Sequence, residues 1–558
     1  MIEEAPTLDG SRKVANVAMT RSDKQLVFAS SLGTVFEWYD FLLVGALAPE
    51  ISKHFFSGVN PAAAFIFTLL GFAAGFAVRP LGAVVFGRLG DLAGRKYTFV
   101  ITIVLMGGAT FAIGLLPGFA SIGIAAPVAF IALRMLQGLA IGGEYGGAVI
   151  YVAEHAPDSQ RGSWTSWIQT TGSLALLMSL GVVLSVRYAL GEVAFADWGW
   201  RIPFLLSVVL LVISVWIRLK LNESPAFLRM KAQGRASRAP LSEAFGQWRN
   251  LRVILAAFFG LAMGQAVIWY TGQFYSLFFL MQILKADSVT ANWLIIIATL
   301  LTAPLYYVFG TLSDRIGRKR VFLTGVLLGL VVFFPLYKAL THYVNPALER
   351  AQQNSPVVVV ADPRECSFQF NPVGTAKFHT SCDIAKGSLS KAGVNYRSVA
   401  APAGATARIK VGSSVIEGYD ASAPDAATRA SEFKTALAAT LQQAGYSPKA
   451  DPGEMNRPMA ILILMLLMTC GTLTYGPLAA MLVEMFPTRI RYTSLSLPYH
   501  VGIGWFGGFL PATAFAIIAA TGNIYAGLWY TVVVASIAFV VTLVFVRETK
   551  DVDIHAAD

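Results

Sequence analysis

Gly87-Arg-Leu-Gly-Asp91-Leu-Ala-Gly94-Arg95-Lys96 returns 223 residues later as Gly310-Thr-Leu-Ser-Asp314-Arg-Ile-Gly317-Arg318-Lys319. Downstream of each copy lies a second shared pattern, Glu154-x-x-Pro157-x-x-x-Arg161 and Glu484-x-x-Pro487-x-x-x-Arg491, here 330 residues apart. Such internal repetition marks a duplicated architecture. The second copy is longer between its signatures by about 107 residues, roughly the length of the polar stretch 343–456. The chain therefore reads as two related halves with an insertion in the second.

Outward from these signatures the chain is apolar. A helix that crosses about 30 Å of hydrocarbon needs about 20 largely apolar residues. Twelve such runs are predicted: 27–50, 61–86, 97–116, 122–150, 163–187 and 200–220, then 251–281, 290–311, 321–342, 457–483, 493–519 and 524–546. Composition agrees, with 55% hydrophobic and 13% charged residues among 558, against about 25% charged in soluble domains. The expected class is an all-α membrane protein whose twelve transmembrane helices form two six-helix pseudo-repeat bundles. Its divisions are an N-terminal tail 1–26, a first bundle 27–220, a linker 221–250, a second bundle 251–342 and 457–546, and a tail 547–558. The first run contains Glu37 and Asp40 and lacks a short h-region, so it does not read as a cleaved signal.

The net charge of +11 invites a nucleic-acid reading, which the placement of the cations excludes. Arg12, Lys13, Arg21, Lys24, Arg88, Arg95, Lys96, Arg161, the 218–252 cations and Arg315 to Arg320 fall in alternate loops, while the opposite loops hold little beyond Lys53, Arg187, Arg201 and Lys285. Positive-inside logic puts both termini and the linker in the cytoplasm and the insertion outside, in the periplasm of a bacterium. There Cys366 and Cys382 read either as a disulfide or as two buried thiols. A small α+β module is expected, with a β-like run at 357–360, alternating stretches near 394–399 and 407–411, and a helix near 426–444. Stabilisation, partner contact and gating all remain open as its role.

Both Gly-x-x-x-Asp-x-x-Gly-Arg-Lys loops resemble the signature of the major facilitator superfamily. Closer still are Gly33-Thr-Val-Phe-Glu37-Trp-Tyr-Asp40-Phe, Arg79-Pro80-Leu-Gly, Arg134-Met-Leu-Gln137-Gly-Leu-Ala-Ile-Gly-Gly-Glu144, Trp200-Arg-Ile-Pro-Phe and Asn222-Glu-Ser-Pro. Together they resemble the metabolite:proton symporter branch, carriers of shikimate, dicarboxylates, citrate and proline or betaine. The resemblance implies proton-coupled uptake of a small organic acid or zwitterion across the cell inner membrane, without enzyme activity, cofactor or metal, by a chain acting as a monomer. Parallel repeats in such carriers hold the substrate between halves at the bilayer midplane. A proton-driven exporter and a membrane nutrient sensor using the insertion are the rivals.

Ionisable residues at membrane depth cost about 3 kcal/mol or more and mark functional routes. Glu37 and Asp40, three apart, share a helical face. A buried pair of like charges favours holding a proton on one member, so both are candidates for proton coupling; a salt bridge to Arg79 or Arg134 is the bland alternative. Arg134 can grip a carboxylate bidentately, and with Gln137, Tyr39, Gln265, Trp269, Tyr270, Gln273 and Tyr499 it forms the candidate substrate set. Gln265, Trp269 and Gln273 recur every four residues and line one face. His500 reads as a hydrogen-bonded bundle residue first and a proton relay second. The candidate gate comprises Arg79, Gly87, Asp91, Gly94, Arg95, Lys96, Glu144, Glu154, Arg161, Gly310, Asp314, Gly317, Arg318, Lys319, Glu484 and Arg491. Its aspartates are expected to cap helix starts beside arginines, and its glycines to allow φ-positive turns. Arg79 is left between gate pairing and substrate contact.

Overall fold

The computed structural model describes residues 21–56, 61–93, 95–219, 232, 237, 239–369 and 378–554, with side chains described except at 21–30, 48–49, 61–73, 93, 95–96, 99 and 144. The tail 1–20, Gly94 and most of the linker between 220 and 238 lie outside the described residues, as do the side chains of Arg95, Lys96 and Glu144.

Six long helices come first: α1 (Arg21–Ala46), α2 (Pro61–Ala93), α3 (Arg95–Leu115), α4 (Ala125–His155), α5 (Arg161–Asp197) and α6 (Ile202–Leu219). After a linker helix at Pro240–Gly246 follow α7 (Trp248–Ile283), α8 (Ser288–Ile316) and α9 (Arg318–Val344). Beyond an inserted module carrying α10 (Ser381–Ala392) and α11 (Ala426–Gln443) come α12 (Arg457–Glu484), α13 (Arg491–Thr521) and α14 (Leu528–Phe545). Nine helices among the described residues are long and apolar enough to cross a membrane.

Burial is inverted relative to a soluble protein. Val193, Val212, Leu300, Val331 and Phe545 are exposed, while Arg79, Arg134, Arg161, Arg218, Arg318 and Arg491 are buried. Apolar side chains outside and ionised ones inside are what a hydrocarbon solvent selects.

Helices approach where a side chain is missing. A Cβ on Gly138 would lie 2.0 Å from the Gly75 carbonyl oxygen, and one on Gly142 would lie 2.3 Å from that of Arg79. Backbone therefore rests on backbone between α2 and α4, which fixes Arg79 and Arg134 relative to each other. In α7, three π-helical turns (Ala257–Ala262, Thr271–Tyr275 and Phe279–Ile283) interrupt the regular period that the sequence suggested. Such turns re-aim side chains and are frequent at functional positions.

The module has a four-stranded sheet, β1 (Val357–Ala361), β2 (Tyr396–Ala400), β3 (Arg408–Val411) and β4 (Ser414–Glu417), ordered β2-β1-β3-β4. β1 pairs with β2 in parallel through the α10 crossover and with β3 antiparallel. Phe433, Leu437 and Leu441 form the buried stripe of α11 at four-residue spacing. Cys366 and Cys382 form a disulfide, with Cα atoms 5.2 Å apart.

The module sits at the end of the bundle opposite the signature loops. Tyr396 N donates to Gly522 O at 2.8 Å, Ala450 N to Lys285 O at 3.0 Å and Asn456 N to Tyr343 O at 2.8 Å. Gly393, at φ +72°, fits beneath the end of α7, where a Cβ would meet Ile283 O at 2.3 Å. Half-buried Lys285 donates to Lys391 O, and burial pulls its ammonium down to about 8.

Candidate functional site

Glu37 and Asp40 share a face of α1 as their spacing predicts, and that face points into their own half. Each is 4% exposed. They border a small cleft with Phe36, Ile103, Gly107, Leu210, Leu211 and Ser214, between α1, α3 and α6. Glu37 Oε1 lies 3.7 Å from Arg218 Nη2. The expected alternative bridge to Arg79 or Arg134 is thus replaced, for Glu37, by one to Arg218, which reads from sequence as a loop cation. The reason is Gly33, one turn earlier on α1: a Cβ there would meet Arg218 Nη2 at 2.9 Å. The glycine was part of the legible motif; its tenant was not.

Asp40 hydrogen-bonds Thr110. Thr110 Oγ1 also donates to Met106 O at 2.9 Å and accepts from Gln137 Nε2 at 2.6 Å, while Gln137 Oε1 accepts from Arg134 Nη1 at 2.5 Å. A continuous polar chain therefore runs from Asp40 through Thr110 and Gln137 to Arg134. Thr110 has a single hydroxyl proton, already committed to Met106. Thr110 is a functional candidate that carries no sequence signal, being one hydroxyl in an apolar helix.

Phe41 stands between two cations, with the Arg79 guanidinium 4.2 Å and the Arg134 guanidinium 4.5 Å from its ring centroid. Arg79 also lies 4.2 Å from the Phe76 ring and hydrogen-bonds Tyr270. Its Nε and Nη2 are buried without a hydrogen-bond partner among the described residues. Arg79 thus meets aromatic rings and makes no ion pair among the described residues.

The second half supplies an aromatic wall. Trp269 Nε1 donates to Tyr306 Oη at 2.6 Å, and Gln273 Nε2 reaches Ser173 Oγ of α5 at 3.3 Å. Tyr499 shares a 2.6 Å hydrogen bond with Tyr475 and stacks on Tyr145 of α4 at 3.5 Å. Oε1 of Gln265 and of Gln273 has no partner among the described residues. Tyr39 turns away, donating to Pro203 O of α6 at 2.9 Å. His500 departs from its first reading as a hydrogen-bonded bundle residue, because neither ring nitrogen has a partner among the described residues.

At the signature-loop end the halves are locked reciprocally. Asp91 Oδ2 accepts from Thr493 N at 3.0 Å and from Thr493 Oγ1 at 2.7 Å, at the start of α13. Asp314 accepts from Gly162 N and Ser163 N, both at 2.8 Å, at the start of α5. Each signature aspartate thus caps a helix of the opposite half, satisfying amides that a helix start leaves open. Arg161 pairs with Glu484 at 2.8 Å and Arg491 with Glu154 at 2.7 Å. Arg318 holds Glu484 at 2.6 Å and Asp314 at 2.8 Å. Lys319 stays within its half, donating to Leu543 O at 2.8 Å.

The glycines differ from expectation. Of the candidate gate glycines that are described (Gly87, Gly310 and Gly317), only Gly317 has positive φ, at +108°. Gly87 and Gly310 lie inside helices and serve close approach: a Cβ on Gly310 would lie 2.7 Å from Gly162 O.

The Sugar (and other) transporter family model matches residues 26–361 and 435–558, and its break falls within the module. The proline/betaine transporter of Escherichia coli K12 is 36% identical over 325 residues, 56% of this chain, and the match spans 63% of that relative's length. The shikimate transporter of the same organism is 35% identical, with 57% of this chain and 72% of the relative covered. Its inner membrane metabolite transport protein YhjE is 32% identical, with 64% and 79% covered. Among solved structures, the proton:xylose symporter XylE superposes with a TM-score of 0.59 at 15% identity over 96% of this chain and 98% of that one, a likeness of fold. The family and these relatives are transporters, not enzymes, and the duplicated signatures, reciprocal locks and family match together establish that this chain belongs to the Sugar (and other) transporter family, with the major facilitator fold.

Proposed function

We propose that the protein is a secondary carrier that takes up a small organic acid or zwitterion with protons by alternating access. Twelve spans in two six-helix halves would cross the cytoplasmic membrane of a bacterium, with the signature loops and both termini inside and the 343–456 module in the periplasm. The positive loops support that orientation. The chain acts as a monomer, its partners being substrate, protons and lipid. Substrates named for the relatives, proline, betaine and shikimate, all carry a carboxylate.

One observation carries the reading: two buried guanidinium groups flank Phe41, and Arg79 keeps two donors without a hydrogen-bond partner among the described residues. A cation buried with open donors is costly, and a substrate carboxylate relieves that cost. Arg134 sits at the end of the polar chain from Asp40. Glu37 already faces Arg218, so Asp40 is the acid assigned to the proton. Proton loading of Asp40 reorients Thr110 and Gln137 and thereby the guanidinium that meets the anion. The reciprocal locks hold the signature-loop end shut in this state, and opening breaks them together.

The test is uptake into proteoliposomes of the full chain. Asp40→Asn is expected to abolish accumulation driven by an inward proton gradient while leaving counterflow intact. Undiminished gradient-driven accumulation in that variant would remove the coupling role.

A further inference from the structure

The open polar atoms at the centre are not confined to arginine. His500 is 1% exposed, and neither Nδ1 nor Nε2 has a hydrogen-bond partner among the described residues. Pro498 lies two residues before it on α13. Its ring stands edge-on to Tyr499, with centroids 5.2 Å apart, and to Tyr145, 6.3 Å apart. Its helix meets that of Arg79 one turn further on, where a Cβ on Gly504 would lie 3.0 Å from Phe76 O; the Arg79 guanidinium, 4.2 Å from the Phe76 ring centroid, has Nε and Nη2 open. Arg79 belongs to α2 of the first half and His500 to α13 of the second, so a ligand touching both spans the seam.

The neighbouring tyrosine hydroxyls are already engaged. Tyr475 and Tyr499 bond each other at 2.6 Å, Gln169 Nε2 donates to Tyr145 Oη at 2.7 Å, and Trp269 bonds Tyr306. The imidazole itself stays open, and in its neutral form it has one donor and one acceptor. A hydroxyl group has the same pair in complement. A quaternary ammonium has neither, and it would add a positive charge beside the guanidinium. A buried imidazole left unpaired by the ligand is penalised, and sites built to hydrogen-bond a hydroxyl reject the analogue that lacks it far more strongly than apolar pockets reject a size change.

We propose that Arg79 and His500 form one recognition unit for a hydroxylated carboxylic acid, Arg79 taking the carboxylate and His500 reading a hydroxyl. This rests on the carrier reading and names its substrate class and a specificity residue. The full chain, purified in detergent, is titrated with shikimate, with 1-cyclohexene-1-carboxylate, which is the same ring acid without hydroxyls, and with glycine betaine. Shikimate is expected to bind at least tenfold more tightly than the deoxy acid. His500→Leu erases that ratio, His500→Asn retains part of it, and Arg79→Gln weakens both acids alike. Size-exclusion profiles accompany each variant, and the Asn variant keeps the test valid where Leu fails to fold. Equal affinities for the two acids, no binding of either, an unchanged ratio in His500→Leu and Asn, or tighter binding of glycine betaine each overturns the proposal. Flux separates it from the carrier reading: Asp40-dependent uptake of betaine leaves the carrier and sinks the histidine role, whereas hydroxy-acid binding without proton-driven flux does the reverse.

Discussion

The two ends of the inter-half seam treat buried charge in opposite ways. At the signature loops, Arg161, Arg318 and Arg491 each have a carboxylate at 2.6–2.8 Å, and both signature aspartates accept backbone amides across the seam. Farther in, Arg79 holds open donors over aromatic rings and His500 holds two open nitrogens. On the proposed function, the satisfied region would hold a conformation and the unsatisfied one would receive the ligand. Burial alone does not distinguish them, since all are buried; partner count does.

The comparison predicts opposite responses to neutralising a charge. Arg79→Gln is expected to cut uptake by roughly a hundredfold or more, about 3 kcal/mol of binding free energy, while the thermal midpoint holds or rises because an unpartnered buried charge has gone. A marked fall in the midpoint would place Arg79 with the locks instead. Glu484→Gln removes the counter-charge that Arg161 and Arg318 share, leaving Arg161 with Asp158 and Arg318 with Asp314. It is expected to lower stability by about 3–5 kcal/mol and to open the signature-loop end, read as faster labelling of a cysteine placed at Ser163. No change in either measurement dissolves the lock.

Smaller effects sharpen the boundary. Thr110→Val removes the middle of the chain between Asp40 and Arg134 without touching a charge. Gradient-driven accumulation is expected to fall roughly tenfold, about 1.4 kcal/mol of lost coupling, with counterflow preserved; equal loss of both would make Thr110 merely structural. The smallest effect is at Lys285, outside the spans. Burial pulls its ammonium from 10.5 down to about 8, so between these values the unfolded chain holds a proton that the folded one has released. Stability therefore rises with pH across that window and is flat from this group below about 8. Melting of the full chain against pH checks this, with Lys285→Met expected to flatten the slope.

Much of this was legible before any coordinates. The duplicated signatures located both locks, because reciprocal capping needs an acid and a helix start at fixed spacing in each half. The module's strands showed in Val357 to Val360, and its cysteines in their isolation. Arg218 was illegible because a charge at the edge of an apolar run looks like a loop residue until Gly33 shows the space it enters. His500 was misjudged because partner count is a property of the neighbours and not of the residue. The glycines were right in position and mostly wrong in reason, since a helix interior that needs contact and a turn that needs positive φ select the same residue.

Among the described residues, the hydrogen bonds that seat the module run to the ends of α7 and α9 and to the turn after α13, all in the second half. It is thus a lever arm welded to one lobe. A few-degree tilt of that lobe would be magnified at the outer edge of the sheet, so a spin label on β4 paired with one on the first lobe is expected to register the proposed transport cycle as a change in distance.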